Sequence, residues 1–203
     1  MLIDLSEIEL DALAETFNLA LGEAAAMFSA MVHEEVALSV PTVELIRRAD
    51  LASELQASLH SSRLCAIRQD FESNSRFKTN TMLLFPEHSS LEIVRRMLGD
   101  STPIEQLTEL EQDTLAEVGN IIMNSCMSSL ANLFGIRMTG TLPQVNAEDA
   151  HDLLSEDKPQ EVILVARISM TLAAHNLSGF VLFVMDPEAI ESLLEQVRLA
   201  FKI

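Results

Sequence analysis

The sequence predicts an α+β fold: an internally duplicated pseudo-twofold domain with a largely antiparallel sheet packed against two long helices. Three observations predict it, namely a repeat within the chain, an amphipathic helical pattern opening each repeat, and apolar strand-like runs behind each helix. Asp11-Ala-Leu-Ala-Glu15-Thr-Phe-Asn18 lines up with Asp113-Thr-Leu-Ala-Glu117-Val-Gly-Asn120, and the same displacement carries Pro41 onto Pro143. Further on, Arg68 to Phe85 aligns with Arg167 to Val184 at a displacement three residues shorter, which sets Met82-Leu83-Leu84-Phe85 over Val181-Leu182-Phe183-Val184. The chain therefore divides into halves of about 1–102 and 103–203, read as one domain of residues 1–203.

In the first half, Leu13, Phe17, Ala20, Leu21, Ala24, Met27, Phe28 and Met31 recur at helical spacing, and Ser6 precedes them as an N-cap. Leu115, Ile122, Cys126, Leu130 and Leu133 repeat the pattern in the second. Each helix is followed by a strand that ends at a proline: Val36, Leu38 and Val40 before Pro41, and Ile136, Met138 and Thr139 before Pro143. Proline has no amide donor, so these strands stop there or lie at a sheet edge. A variable helix or loop comes next. Hairpin strands are then expected near Leu64–Phe71 with Thr79–Phe85, and near Val162–Thr171 with Ser178–Met185, closed by helices over Ser89–Leu98 and Pro187–Phe201. One half alone would leave an apolar face wet, which pairing the halves removes. The acidic stretch Asn146–Pro159 reads as a mobile insertion.

Composition narrows the function. Hydrophobic residues make up 48% of the 203, with no Trp and no Tyr, so the core is aliphatic and supplemented by ten Met and nine Phe. Thirty-one acidic against thirteen basic side chains give a net charge of −18. That charge repels phosphate backbones and anionic lipid, which argues against nucleic acid and membrane partners. The N-terminal Met-Leu-Ile-Asp-Leu-Ser-Glu carries acid where a signal peptide is basic, so a cytoplasmic protein is expected. Cys65 and Cys126 are flanked by apolar residues and read as buried small hydrophobes. His33-Glu34-Glu35 and His151-Asp152 lack the spacing of a metal site, and none is expected.

Opposite the apolar face of the first long helix, Asp11, Glu15, Asn18 and Gly22 form one stripe; Asp113, Glu117, Asn120 and Asn124 form its counterpart. A polar stripe is ordinarily just a solvated face. Asn, however, is unfavourable inside a helix because its side chain competes for backbone groups, and Glu, Lys or Gln would stabilise the helix better. Asn recurs mid-helix twice in register, so something other than helix stability placed it.

The Glu-x-x-Asn motif, within Asp-x-x-x-Glu-x-x-Asn and followed by a strand ending at proline, resembles the CheC, CheX and FliY family of chemotaxis phosphatases. The likeness extends over both halves and is strongest at Leu115-Ala-Glu-Val-Gly-Asn120-Ile. It implies an enzyme that removes phosphate from a CheY-like receiver. Asn18 and Asn120 would enter the receiver's site, Glu15 and Glu117 would pair with its Lys, and Asp11, Asp113, Gly22 and Asn124 would line the docking face. The Mg²⁺ would belong to the receiver, and this chain needs no cofactor of its own. A CheD-type deamidase is a second partner the resemblance allows. The alternative reading is a non-catalytic adaptor that captures phosphorylated receiver or CheD. A structural element of a flagellar switch is a third reading, disfavoured by the expectation that no further module follows Ile203.

The two copies differ. Family motifs place Gly between Glu and Asn, as at Gly119, whereas the first copy has Phe17, which either stands in a partner's way or packs inward. The second copy has Asn124 in place of Gly22. Glu117 and Asn120 are therefore expected to form the better site.

Overall fold

A computed structural model describes residues 5–73, 77–98, 104–155, 160–172, 177–185 and 187–202. The first half runs α1 (Glu7–Val32), β1 (Val36–Leu38), β2 (Thr42–Arg47), α2 (Arg48–Leu59), β3 (Arg63–Ser73), β4 (Lys78–Pro86), a 3-10 turn and α3 (Ser90–Leu98). The second runs α4 (Ile104–Phe134), β5 (Met138–Gly140), β6 (Gln144–Asp149), α5 (Ala150–Ser155), β7 (Val162–Leu172), β8 (Leu177–Met185) and α6 (Pro187–Phe201). Helix, two strands, helix, two strands, helix occurs twice in the same order.

Ser6 caps α1 as expected. Its hydroxyl accepts from the Glu9 backbone N–H at 3.4 Å, while the Glu9 carboxylate accepts from the Ser6 N–H at 2.9 Å. This reciprocal box satisfies two amides that a helix start leaves orphaned. Arg198 of α6 also pairs with Glu9, tying the last helix to the first turn of α1.

All strand pairs are antiparallel, in the order β1-β7-β8-β4-β3-β5, with β2 also on β7 and β6 also on β3. The short strands are thus exchanged: those of the first half add to the second half's hairpin, and the reverse. The two exchanges share a register. Thr42 faces Arg167 as Gln144 faces Arg68, and Val36 faces Leu172 as Met138 faces Ser73. Both correspondences are those of the sequence repeat. Pro41 and Pro143 fall in the gaps between the exchanged strands, where no amide is needed.

The alignment of the last strand is corrected by one residue. Cys65 pairs with Phe85, but Leu164, the counterpart of Cys65, pairs with Met185 rather than Val184. Leu83 and Phe85 accordingly share a core with Phe183 and Met185, while Met82 and Leu84 share the opposite one with Leu182 and Val184. A slip of one residue turns every side chain to the other face of a sheet. The sequence could not show it, because both faces of these strands are apolar.

Both faces are apolar because the sheet is covered on both sides. Cys65, Ile67, Leu83, Phe85, Leu164, Ala166, Val181 and Phe183 pack in one cluster with α1, α3, α4 and α6. Leu64, Ala66, Met82, Leu84, Ile163, Val165 and Leu182 form a second with α2 and α5. The sheet therefore has a helical layer beyond the two long helices. This also corrects the reading of Asn146–Pro159 as a mobile insertion. Residues 144–155 are β6 and α5, the counterparts of β2 and α2, and residues 156–159 lie outside the described set. Ala150, Leu153 and Leu154 are spaced as one helical face and bury against the cluster that contains Leu51, Ala52 and Leu55. The acidic residues around them hid that seam.

Candidate functional site

The stripe residues stand on the outer faces of α1 and α4, two helices that pack against each other. Ala12, Leu13, Thr16, Phe17, Ala20, Leu21, Ala24 and Phe28 of α1 are buried, which leaves Asp11, Glu15, Asn18 and Gly22 exposed on the opposite arc. In α4, burial of Leu115, Val118, Gly119, Ile122, Met123 and Cys126 leaves Asp113 and Glu117 exposed and Asn120 and Asn124 half-buried. Met27 and Leu133, expected on the apolar faces, are exposed at the margins of the buried arcs. Each set of four forms one line along its helix, as the spacing predicts.

Phe17 packs inward. It is wholly buried, with its ring 4.8 Å from that of Phe183 and tilted 36° to it, and it leaves the stripe uncovered. Gly119 answers the same position by the opposite means. A Cβ there would come within 2.2 Å of Ile67 Cγ2, so α4 lies too close to β3 for any side chain. The departure from Gly at Phe17 is thus a matter of core packing and not of access.

The sites differ at their carboxamides. Asn18 Nδ2 donates to Glu15 Oε2 at 3.4 Å, a long contact. In the second site, Asn124 Nδ2 donates to both the backbone oxygen and Oδ1 of Asn120, each at 2.7 Å. Gly22, at the matching place in α1, has open space around it. Sequence reading placed Asn124 on the docking face without seeing that it holds Asn120; the i, i+4 spacing was the available signal. It also overlooked a flank. Ile8 and Leu19 are exposed beside the first stripe, and Leu110 and half-buried Ile121 occupy the corresponding places beside the second.

Other chemistry is sparse. Among the described residues, no group of three His, Cys, Asp or Glu side chains could hold a metal, and no helix is long and apolar enough to cross a membrane. A cavity of about 520 Å³, lined by Arg48, Asp70, Lys78, Asn80 and Gly140, includes no stripe residue. His33 ends α1 in a left-handed conformation, φ 54°, with its N–H bonded to the Ser29 oxygen, which is a capping role.

Residues 110–146, which hold Glu117, Asn120, β5 and Pro143, match the model of the CheC-like family. The chain is 23% identical over 177 residues to the flagellar motor switch phosphatase FliY of Bacillus subtilis, covering 86% of this chain and 45% of that protein. It thus spans less than half of that relative's length. The fold is that of FliY from Thermotoga maritima, with a TM-score of 0.76 at 20% identity over 98% of this chain and 100% of the other. A chain of the FliM–SpeE complex from H. pylori shares it at a TM-score of 0.67 and 13% identity, over 98% of each chain. So does a chain of the CheX–CheY–BeF3–Mg complex of Borrelia burgdorferi, at a TM-score of 0.56 and 15% identity, over 87% of this chain and 99% of that one. The resemblance read from the residues and these comparisons agree.

Proposed function

We propose, from the premise that this chain is a protein of the CheC/CheX/FliY family, that it hydrolyses the aspartyl phosphate of a CheY-like receiver. The observation that carries the reading is the pair of Glu-Asn lines on the outer faces of both long helices, with Glu15, Asn18 and Glu117 exposed and Asn120 half-buried. An aspartyl phosphate is already activated, so hydrolysis chiefly needs a water held in line with the breaking bond. Asn120 would accept a hydrogen bond from that water through its oxygen and donate to a phosphoryl oxygen through its NH₂. The water oxygen bonds to phosphorus as the acyl-phosphate bond breaks, releasing inorganic phosphate and the receiver's Asp carboxylate.

Glu117 would pair with the receiver's Lys and set the register, with Glu15 and Asn18 forming a second site. Asp11, Asp113 and the aliphatic flanks Ile8, Leu19, Leu110 and Ile121 would complete the docking faces. The Mg²⁺ of the reaction would be the receiver's own. A carboxamide is no strong base, so the acceleration should be modest beside that of a dedicated hydrolase.

Incubation with a phosphorylated CheY-like receiver tests this. The chain should speed phosphate loss, Asn120→Ala should slow it, and the Asn18→Ala, Asn120→Ala double variant should abolish it without unfolding. Tight, phosphorylation-dependent binding that survives the double change, with no acceleration, would establish the adaptor reading instead.

A further inference from the structure

We infer that Asn124 is a positioning residue, which fixes the direction of the Asn120 carboxamide and makes the second site preorganised where the first is not. The inference rests on the proposed function, but its geometry stands apart from it. In a side-chain amide the oxygen and nitrogen are told apart only by their partners. Here the partners decide. The group of Asn124 that faces Asn120 contacts the Asn120 backbone oxygen at 2.7 Å, and a carbonyl oxygen can only accept, so that group is the NH₂. The same NH₂ lies 2.7 Å from the terminal atom of the Asn120 side chain, which must then be Oδ1. A flipped Asn120 would set NH₂ against NH₂.

The consequence for Asn120 is a defined polarity. One lone pair of its Oδ1 is taken by Asn124, one remains for a water, and both hydrogens of its own NH₂ are left for an incoming anion. No such clamp exists in α1. Gly22 offers no side chain, and Asn18 turns its NH₂ towards Glu15 at 3.4 Å. That contact draws on the donor a phosphoryl oxygen would need and on the carboxylate a receiver Lys would need. A group already held in its working direction loses less freedom on binding. The second site should therefore be faster for a reason that lies neither in Phe17 nor in Gly119.

The test uses two reciprocal exchanges. In an Asn18→Ala background, where only the second site acts, Asn124→Ser keeps a small polar side chain but cannot span both acceptors. It should lower kcat by roughly threefold to tenfold, as loss of one hydrogen bond does, with KM for the phosphorylated receiver little changed. In an Asn120→Ala background, Gly22→Asn should raise kcat of the first site by a similar factor, because a Cβ there meets nothing within 4 Å. An unchanged kcat in both exchanges, or an effect confined to KM, would overturn the inference and make Asn124 a contact residue.

A readout free of activity separates this inference from the proposed function. In nitrogen-15 relaxation of the free protein, the Asn120 side-chain amide should be more ordered than that of Asn18 and should loosen in Asn124→Ser. Equal mobility of the two amides would overturn the positioning role even if the enzyme is active. If the wild-type chain accelerates no receiver's dephosphorylation, the proposed function fails and this measurement still decides the role of Asn124.

Discussion

Gly119 lies against Ile67 so closely that a methyl group on it would fall 2.2 Å from the isoleucine Cγ2 atom and 3.0 Å from Met123 Cε. Ile67 is wholly buried and β-branched, so it cannot swing away. Gly119→Ala should therefore destabilise the protein by about 1–3 kcal/mol through overpacking, although Ala is by about 1 kcal/mol the better helix former. Urea unfolding would register the sign. A variant as stable as the wild type would mean that α4 can rise off β3 freely.

Phe17 meets the same requirement by filling space, so its removal should leave a hole. Phe17→Ala is expected to cost about 3–5 kcal/mol, the range for a buried aromatic truncated to Ala, and to lower the thermal midpoint accordingly. The exposed line of Asp11, Glu15 and Asn18 should stay in place at temperatures where the variant is folded. A loss well under 1 kcal/mol would show that the ring is not the core element its contact with Phe183 indicates.

The Glu9 carboxyl is held down from 4.5 to about 2, first by the Ser6 backbone N–H, then by the Ser6 hydroxyl and by Arg198. A carboxyl with a lower value folded than unfolded stabilises the fold while ionised. That contribution is complete above about 4.5 and is lost as pH falls towards about 2. Glu9→Gln should flatten the dependence of the unfolding midpoint on pH within that window. An identical dependence in both proteins would count against the cap as an acid-sensitive element.

Cys65 and Cys126 are both buried, and burial pushes each thiol up to about 12, with Glu111 and Glu87 adding to the effect at Cys65. Only the thiolate reacts. Near pH 8 the native protein should label with a thiol reagent roughly a hundredfold or more slowly than the urea-unfolded chain. Rapid labelling of either Cys in the native state would show that its part of the core opens readily.

Much of this was legible from the chain. The long and closing helices follow from a period of 3.6, the Ser6 cap from its place before the first turn, and the hairpin strands of each half from short apolar runs, all of which local sequence carries. The stripe was legible for the same reason, since residues three and four apart on a helix must share a side. Asn146–Ser155 was misread because Glu148, Asp149 and Asp152 are interspersed with Ala150, Leu153 and Leu154, whose partners in α2 lie far away in the sequence.

The sequence by itself determined the repeat, the elements and the line of Asp, Glu and Asn on each long helix. Only the tertiary structure decided that the short strands cross to the other half, that β8 pairs one residue further along, that Phe17 turns inward while Gly119 lets α4 down onto β3, and that Asn124 grips Asn120. The first three outcomes depend on which apolar surfaces meet across long separations, and the last on the side-chain directions taken within one helix turn. In strands that are apolar on both faces, periodicity marks neither the register nor the partner; packing against distant helices does.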